Sequence, residues 1–289
     1  MRTVCVEAAL MEQQTIMHDH HSDTSEMSEL AEKGTIEIRH VSKTFVGRDG
    51  SESSALNDIS ILVQPSEFVL LLGPSGCGKS TLLNMIAGFD HPTTGTILLD
   101  GLPIYRPDAR RTMVFQNVQG SLFPWLTVRE NVEFGLKMSG TPKPVRRALS
   151  DKYLRLVGLA DASKKMPFEL SGGMKQRCQI ARAIATDPEI LLMDEPFAAI
   201  DAQSRSALQG EIERIWKQTG KTIVFVTHDI QESVRLADRV IIFSGGPGAH
   251  ILNVINVEIP RPRALSSPAV IELAQEIESL IEPSLDRRS

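Results

Sequence analysis

Residues 73–80 read GPSGCGKS, which fits the spacing G-x-x-x-x-G-K-[ST]. That spacing suits the holding of phosphates. Gly73, Gly76 and Gly78 have no side chain, so backbone N–H groups can converge on phosphate oxygens around Pro74, Ser75 and Cys77. The helix that opens at Lys79, Ser80 and Thr81 adds the positive end of its dipole. Lys79 is placed to reach the β- and γ-phosphates, and the Ser80 hydroxyl is a ligand for Mg²⁺. The motif predicts a nucleotide site with Mg²⁺. Cys77 reads as a small filler side chain in that loop, although a helix N-terminus can also activate a thiol.

Further along, ILLMDEP (190–196) is an apolar run that ends in two carboxylates. At the end of a buried strand, Asp194 suits the Mg²⁺ side of the site, and Glu195 can polarise an attacking water as general base. A strand followed by an acidic loop would look the same in isolation; the phosphate loop upstream favours the chemical reading. VTHD (226–229) ends another apolar run, so His228 can meet a γ-phosphate from the far side. Gln116 also follows a short strand pattern, where a glutamine can bind Mg²⁺ or position water. A second glycine-rich helix start, LSGGMKQR (170–177), lies far down the chain from the first.

The elements that must hold these residues are legible from periodicity. TIEIRHV (35–41) and ISILVQ (59–64) alternate as half-buried strands do, and EFVLLL (67–72) suits a strand buried on both faces. A helix over 79–88, a strand over 95–101 ending in an Asp-Gly turn, and a strand over 112–116 follow. Residues 127–158 carry two helical patterns parted by Thr141, Pro142 and Pro144, and 172–186 continues as helix. Strands return at 189–194, 222–228 and 239–243, with helices over 202–218 and 230–237 between them. Alternating strands and helices imply a largely parallel sheet covered on both faces, with the helical block as an insertion. PRPR (260–263) breaks regular structure, and one amphipathic segment, about 268–281, follows it.

Composition is that of an ordinary globular chain, 42% hydrophobic and 23% charged over 289 residues. The net charge of −5 argues against a general nucleic-acid binder. Cys5, Cys77 and Cys178 are odd in number and lack metal-type spacing, which fits a reducing compartment. No signal peptide and no membrane-length apolar run is expected, so a membrane role must come through a partner. Residues 1–34 read as a mobile polar extension. Its His18, His20 and His21 are better taken as solvated tail than as a metal site.

Together these motifs resemble the ATP-binding subunits of ABC transporters, over about residues 35–263. LSGGMKQR discriminates, because P-loop kinases and GTPases lack it. The resemblance implies an α/β fold: a P-loop NTPase core with a largely parallel sheet flanked by helices, an antiparallel β subdomain and an inserted helical subdomain. On that plan the ATPase domain is 35–265, its helical insertion about 117–186, and 266–289 a helical tail. The resemblance also assigns roles. Phe45 in VSKTF would stack on adenine, and Gln116 is the Q-loop residue. Ser171, Gly172 and Gly173 are the signature, Asp194 and Glu195 the Walker B pair, Asp201 in AAID the D-loop aspartate, and His228 the switch histidine. Phe45 stands where tyrosine is common, and Ala198 and Ile200 where glycine and leucine are common.

The implied function is ATP hydrolysis driving uptake of a small solute through a separate permease. The subunit would sit peripherally on the cytoplasmic face of the cell membrane. Two copies would sandwich ATP, each site pairing one copy's phosphate loop with the other's signature, and an extracytoplasmic solute-binding protein would act indirectly. LFPWLTVRENVEFGL (122–136), THDIQESVRLADRV and IPRPR resemble importers of the nitrate, sulfonate and taurine group. GGPGAH stands where that group often carries Arg-Pro-Gly-Arg. Phe123, Pro124 and Trp125 suit either a permease groove or packing of the helical block. The rival readings are a non-transport ABC ATPase acting on a macromolecule, a P-loop small-molecule kinase and a nucleotide sensor. One cassette without coiled-coil heptads disfavours the first, and the signature with Glu195 the second. The intact catalytic set disfavours the third.

Overall fold

Alternation places Ile36 and Ile38 on the buried side of strand β1 (Ile36–Val46), and an irregularity at His40, φ +50°, returns Val41 to that side. The computed structural model describes residues 33–116, 120–198, 200 and 202–285. Cys5, the three N-terminal histidines with most of the expected extension, and Asp201 lie outside the described residues. β1 pairs antiparallel with β2 (Glu52–Val63) and β4 (Thr94–Leu99), and β5 (Leu102–Pro103) extends the far edge. This four-stranded sheet, in the order β2-β1-β4-β5, is the expected antiparallel β subdomain.

The second sheet has six strands. They are β3 (Phe68–Leu72), β6 (Arg111–Val114), β7 (Ile190–Asp194), β8 (Thr222–Thr227), β9 (Arg239–Phe243) and β10 (Ile251–Asn256). Their order is β10-β9-β3-β8-β7-β6, parallel throughout except for β10. All five residues of β3 are buried. Val69 and Leu71 face one core, with Leu82 and Ile86 of helix α1 (Lys79–Ala87) and Ile36 of β1. Phe68, Leu70 and Leu72 face the other core. This is why FVLLL shows no polar alternation: each side chain is covered, at about 2 kcal/mol of burial apiece.

The second core reaches into the helical layer made by α2 (Val128–Met138), α3 (Lys143–Leu156) and α4 (Gly172–Ala185). Thr127 and Glu130 close a capping box at the start of α2, and Pro144 sits in the first turn of α3. Cys178 of α4 is packed in this core, where burial pushes its thiol up to about 12, so it acts as an inert apolar filler. Helices α5 (Ala202–Thr219), α6 (Ile230–Leu236) and α7 (Pro268–Leu285) complete the chain. α7 runs past the expected end at 281 and buries Val270 and Ile277.

Strand β10 was not expected from sequence. It pairs only with β9, on the sheet edge, and its residues are half-buried or exposed, so ILNVIN carries a weak signal behind a glycine-rich stretch. Behind it, the buried Arg263 guanidinium donates to the carbonyls of Ile259, Val234 and Val257 at 2.7, 2.9 and 2.9 Å. The second arginine of PRPR thereby fixes the turn that brings α7 onto α6. No helix among the described residues is long and apolar enough to cross a membrane.

Candidate active site

In a parallel sheet the loops that follow the strands emerge on one edge, and functional groups gather there. β3, β8 and β7 are neighbours, and their C-terminal ends deliver the phosphate loop, His228, and Asp194 with Glu195. Gln116 follows the next strand, β6. Residues far apart in the chain become adjacent because the sheet order is not the chain order.

Lys79 is only 4% exposed, and its ammonium donates to the carbonyls of Gly73 and Pro74, each at 2.7 Å. The loop therefore curls around a buried positive charge. Gly78 has φ +89° and lies against β2, where a Cβ would come within 2.8 Å of the Ala55 carbonyl and the Leu56 side chain. No other residue fits that position without moving β2. Cys77 points inward, 1% exposed, with Sγ 3.6 Å from Lys79 Nζ, which matches the filler role. Ser75 and Gly76 are exposed at the loop tip.

Ser80 Oγ donates to Asp194 Oδ1 at 2.8 Å, joining the loop to β7. Burial raises the Asp194 carboxyl above its usual range; Ser80 opposes this, Glu195 adds to it, and Lys79 opposes it. This pair of hydroxyl and carboxylate oxygens suits a hard divalent cation. Glu195 holds φ +40°, an uncommon conformation for a non-glycine residue, with its N–H bonded to the Val226 carbonyl at 3.0 Å. That kink brings Oε2 to 3.2 Å from both Gln116 Nε2 and His228 Nδ1. Three residues singled out separately in the sequence thus share one oxygen atom. His228 is 56% exposed and Glu195 13%, so the imidazole stands at the mouth and the carboxylate behind it.

Other sequence-predicted residues stand apart. Ser171 caps α4, its hydroxyl accepting from the Met174 N–H at 3.3 Å. Ser171 and Gly172 are exposed, and Gly173 is half-buried. Among the described residues no hydrogen bond or ion pair joins 171–173 to the phosphate loop, Glu195 or His228. Phe45 is exposed at the end of β1 with the Lys43 ammonium 4.9 Å from its ring centre. Across the sheet it faces Ser53, two residues from the Ala55 that abuts Gly78.

One neighbour, Glu232, escaped the sequence reading, whereas Phe123 and Trp125 were named in it. Glu232 of α6 is buried and accepts from the Thr227 hydroxyl at 2.7 Å. Trp125, 70% exposed, packs with Phe123, whose ring lies 4.3 Å from that of Phe134. Beside them runs a cleft of about 580 Å³ lined by Trp125, Glu130, Glu133, Phe134, Lys137 and Arg146.

The phosphate-cradling loop, the shared Glu195 oxygen and the capped LSGG helix define a nucleotide-hydrolysing cassette. The family model for the ABC transporter matches residues 56–198. The chain is 44% identical over 250 residues to an uncharacterized ABC transporter ATP-binding protein, MJ0412, of Methanocaldococcus jannaschii, covering 86% of this chain and 92% of that one. It is 47% identical over 213 residues to the taurine import ATP-binding protein TauB of Roseobacter denitrificans, covering 74% and 79%. It is also 48% identical over 230 residues to the nitrate import ATP-binding protein NrtC of Synechocystis, covering 79% of this chain and 34% of that longer one. Among solved structures, the post-hydrolysis dimer of the cassette MJ0796, bound to ADP and phosphate, superposes with a TM-score of 0.67. That match has 30% identity over 78% of this chain and all of the other. The chain belongs to the ABC transporter family. Within the family it is an ATP-binding subunit, an ATP hydrolase coupled to transport across a membrane.

Proposed function

We propose that this subunit energises import of a small solute of the nitrate, sulfonate or taurine type by hydrolysing ATP between two copies of itself. The observation that carries the reading is the Glu195 oxygen held 3.2 Å from both Gln116 and His228, beside the Ser80–Asp194 pair. In this arrangement the Lys79 ammonium would exchange its loop carbonyls for the β- and γ-phosphates, while the loop N–H groups around Pro74, Ser75, Gly76, Gly78 and Thr81 hold the chain of phosphates. Ser80, Asp194 and Gln116 would hold Mg²⁺, which when bound neutralises charge between the β- and γ-phosphates. Glu195 would take the proton of the attacking water, and Gln116 and His228 fix its orientation.

Phe45 would stack on the adenine, its ring exposed next to the strand that borders the loop. The signature at 171–173, with Ser171 and Gly172 exposed and no hydrogen bond to the chain's own loop among the described residues, would serve the nucleotide of the second copy; the assigned contact of Asp201 would lie in the same interface. The dimeric MJ0796 cassette supports this split. For the membrane partner, the cleft beside Trp125 has an aromatic floor and charged rims, as a groove for a permease helix would need. The taurine, nitrate and bicarbonate import relatives support a small solute bearing an anionic group, delivered through such a permease, with the subunit docked on the cytoplasmic side.

Replacing Glu195 with glutamine tests the reading. ATP binding should persist while phosphate release falls by about 100-fold or more, as loss of a general base predicts. Turnover near the wild-type rate would remove Glu195 from that role.

A further inference from the structure

His228 is an exposed member of the site, and an imidazole at a strand end does not hold its own position. The turn that carries it is closed by its neighbours: the Thr227 hydroxyl accepts from the Asp229 N–H at 3.1 Å, spanning His228. Asp229 then caps α6, accepting from the N–H groups of Gln231 and Glu232 at 2.8 and 3.2 Å. Spacing alone would make Glu232 the reciprocal partner of that cap, reaching back to a backbone N–H from an exposed surface. Instead its side chain is 5% exposed, and Oε2 accepts from the Thr227 hydroxyl at 2.7 Å.

We propose that Glu232 is a positioning residue for the switch histidine: its buried carboxylate holds the Thr227–Asp229 turn and so sets where the His228 imidazole meets Glu195. The other Glu232 oxygen faces α5, accepting from Gln209 Nε2 at 3.4 Å, and Gln209 accepts from Arg235 at 3.0 Å. Arg205 of α5 pairs with Asp229 at 3.5 Å. A small cavity of about 60 Å³ is lined by Glu195, His228, Thr227, Asp229, Arg205 and Glu232. The charged groups that face Glu232 are therefore Asp229 on its own turn, Arg235 on its own helix, Arg205 on α5, and Glu195 with His228 across the cavity. α5 starts directly after Asp201, so this carboxylate joins the histidine turn to the helix that follows the expected dimer contact. Burial pushes the Glu232 carboxyl up to about 7, so the fraction ionised changes near neutral pH. Only the ionised form can accept from Thr227 and Gln209 without holding a proton of its own.

The inference rests on the proposed role of His228 and is separable from it. ATP turnover is measured for His228→Ala, Glu232→Ala, Glu232→Gln and the double alanine variant. Glu232→Ala should lower kcat by about tenfold with little change in KM, and add nothing further in the His228→Ala background. Glu232→Gln, whose amide oxygen still accepts from Thr227, should keep kcat within about threefold of wild type. It should also lose a rise of kcat with pH that the wild type shows near neutrality. Independent, additive losses, or an unchanged pH profile in Glu232→Gln, would overturn the assignment of Glu232. Full activity in His228→Ala would instead overturn the role of the histidine itself.

Discussion

At the scale of single residues, the side chains proposed for the chemistry are held in unfavourable settings. Glu195 has positive φ, Lys79 is a buried ammonium, and Asp194 and Glu232 are carboxyls raised by burial. Each costs stability that the surrounding fold supplies. For Glu232 the sign can be worked through. Its folded value, about 7, lies above the ordinary 4.5, chiefly from burial; Asp229 adds to the rise, and Thr227, Arg205 and Gln209 oppose it. In strong acid both folded and unfolded chains keep the proton. Between the two values the unfolded chain has released its proton while the folded chain retains it, so stability falls as pH rises through that window. The full difference amounts to about 3 kcal/mol. Glu232→Gln removes it. In urea unfolding the variant should therefore gain on the wild type at about pH 8 but not at about pH 4. Equal gains at both would show that Glu232 does not titrate in this way.

At the scale of elements, the sequence was legible where burial imposes a period. FVLLL reads as a covered strand because both its faces are packed, and Thr127 with Glu130 announce the start of α2. The loop glycines and the LSGG cap were legible for a related reason: backbone geometry at Gly78 and helix capping at Ser171 tolerate few residue types. Strand β10 was not legible, since an edge strand with little burial imposes little pattern. Nor was Glu232, whose spacing from Asp229 mimics a surface capping pair. Only its packing against α5 shows that it is interior.

The tail makes a prediction at this scale. Arg263 donates to the carbonyls of five residues, Ile259, Val234, Arg235, Ala237 and Val257, so Arg263→Met leaves them without that donor. The expected loss is about 3 kcal/mol, and Tm should fall by roughly 6–10 °C. An unchanged Tm would show that α7 is held by its apolar contacts alone. On the permease side, Trp125→Asp should leave ATP turnover of the isolated subunit intact and sharply reduce the permease recovered with it. Undiminished recovery would return Trp125 to simple packing of the helical block.

For the whole molecule, the arrangement leaves one half of a site on each of two surfaces. The phosphate loop, Glu195 and His228 converge at one edge of the parallel sheet, while Ser171 and Gly172 are exposed at the start of α4 with no bond to them. In the proposed reading a second copy would resolve this, each completing the other, and a conformational step at the nucleotide would become a motion of the helical layers that flank the Trp125 cleft. The importer reading depends on that closure more than on any single residue. It is tested most directly by the molar mass of the Glu195→Gln protein in solution, measured by light scattering with and without ATP and Mg²⁺. The mass should double only when nucleotide is present, and Ser171→Arg in the same background should bind ATP yet stay monomeric. A Glu195→Gln protein that binds ATP and keeps the monomer mass would contradict the split site.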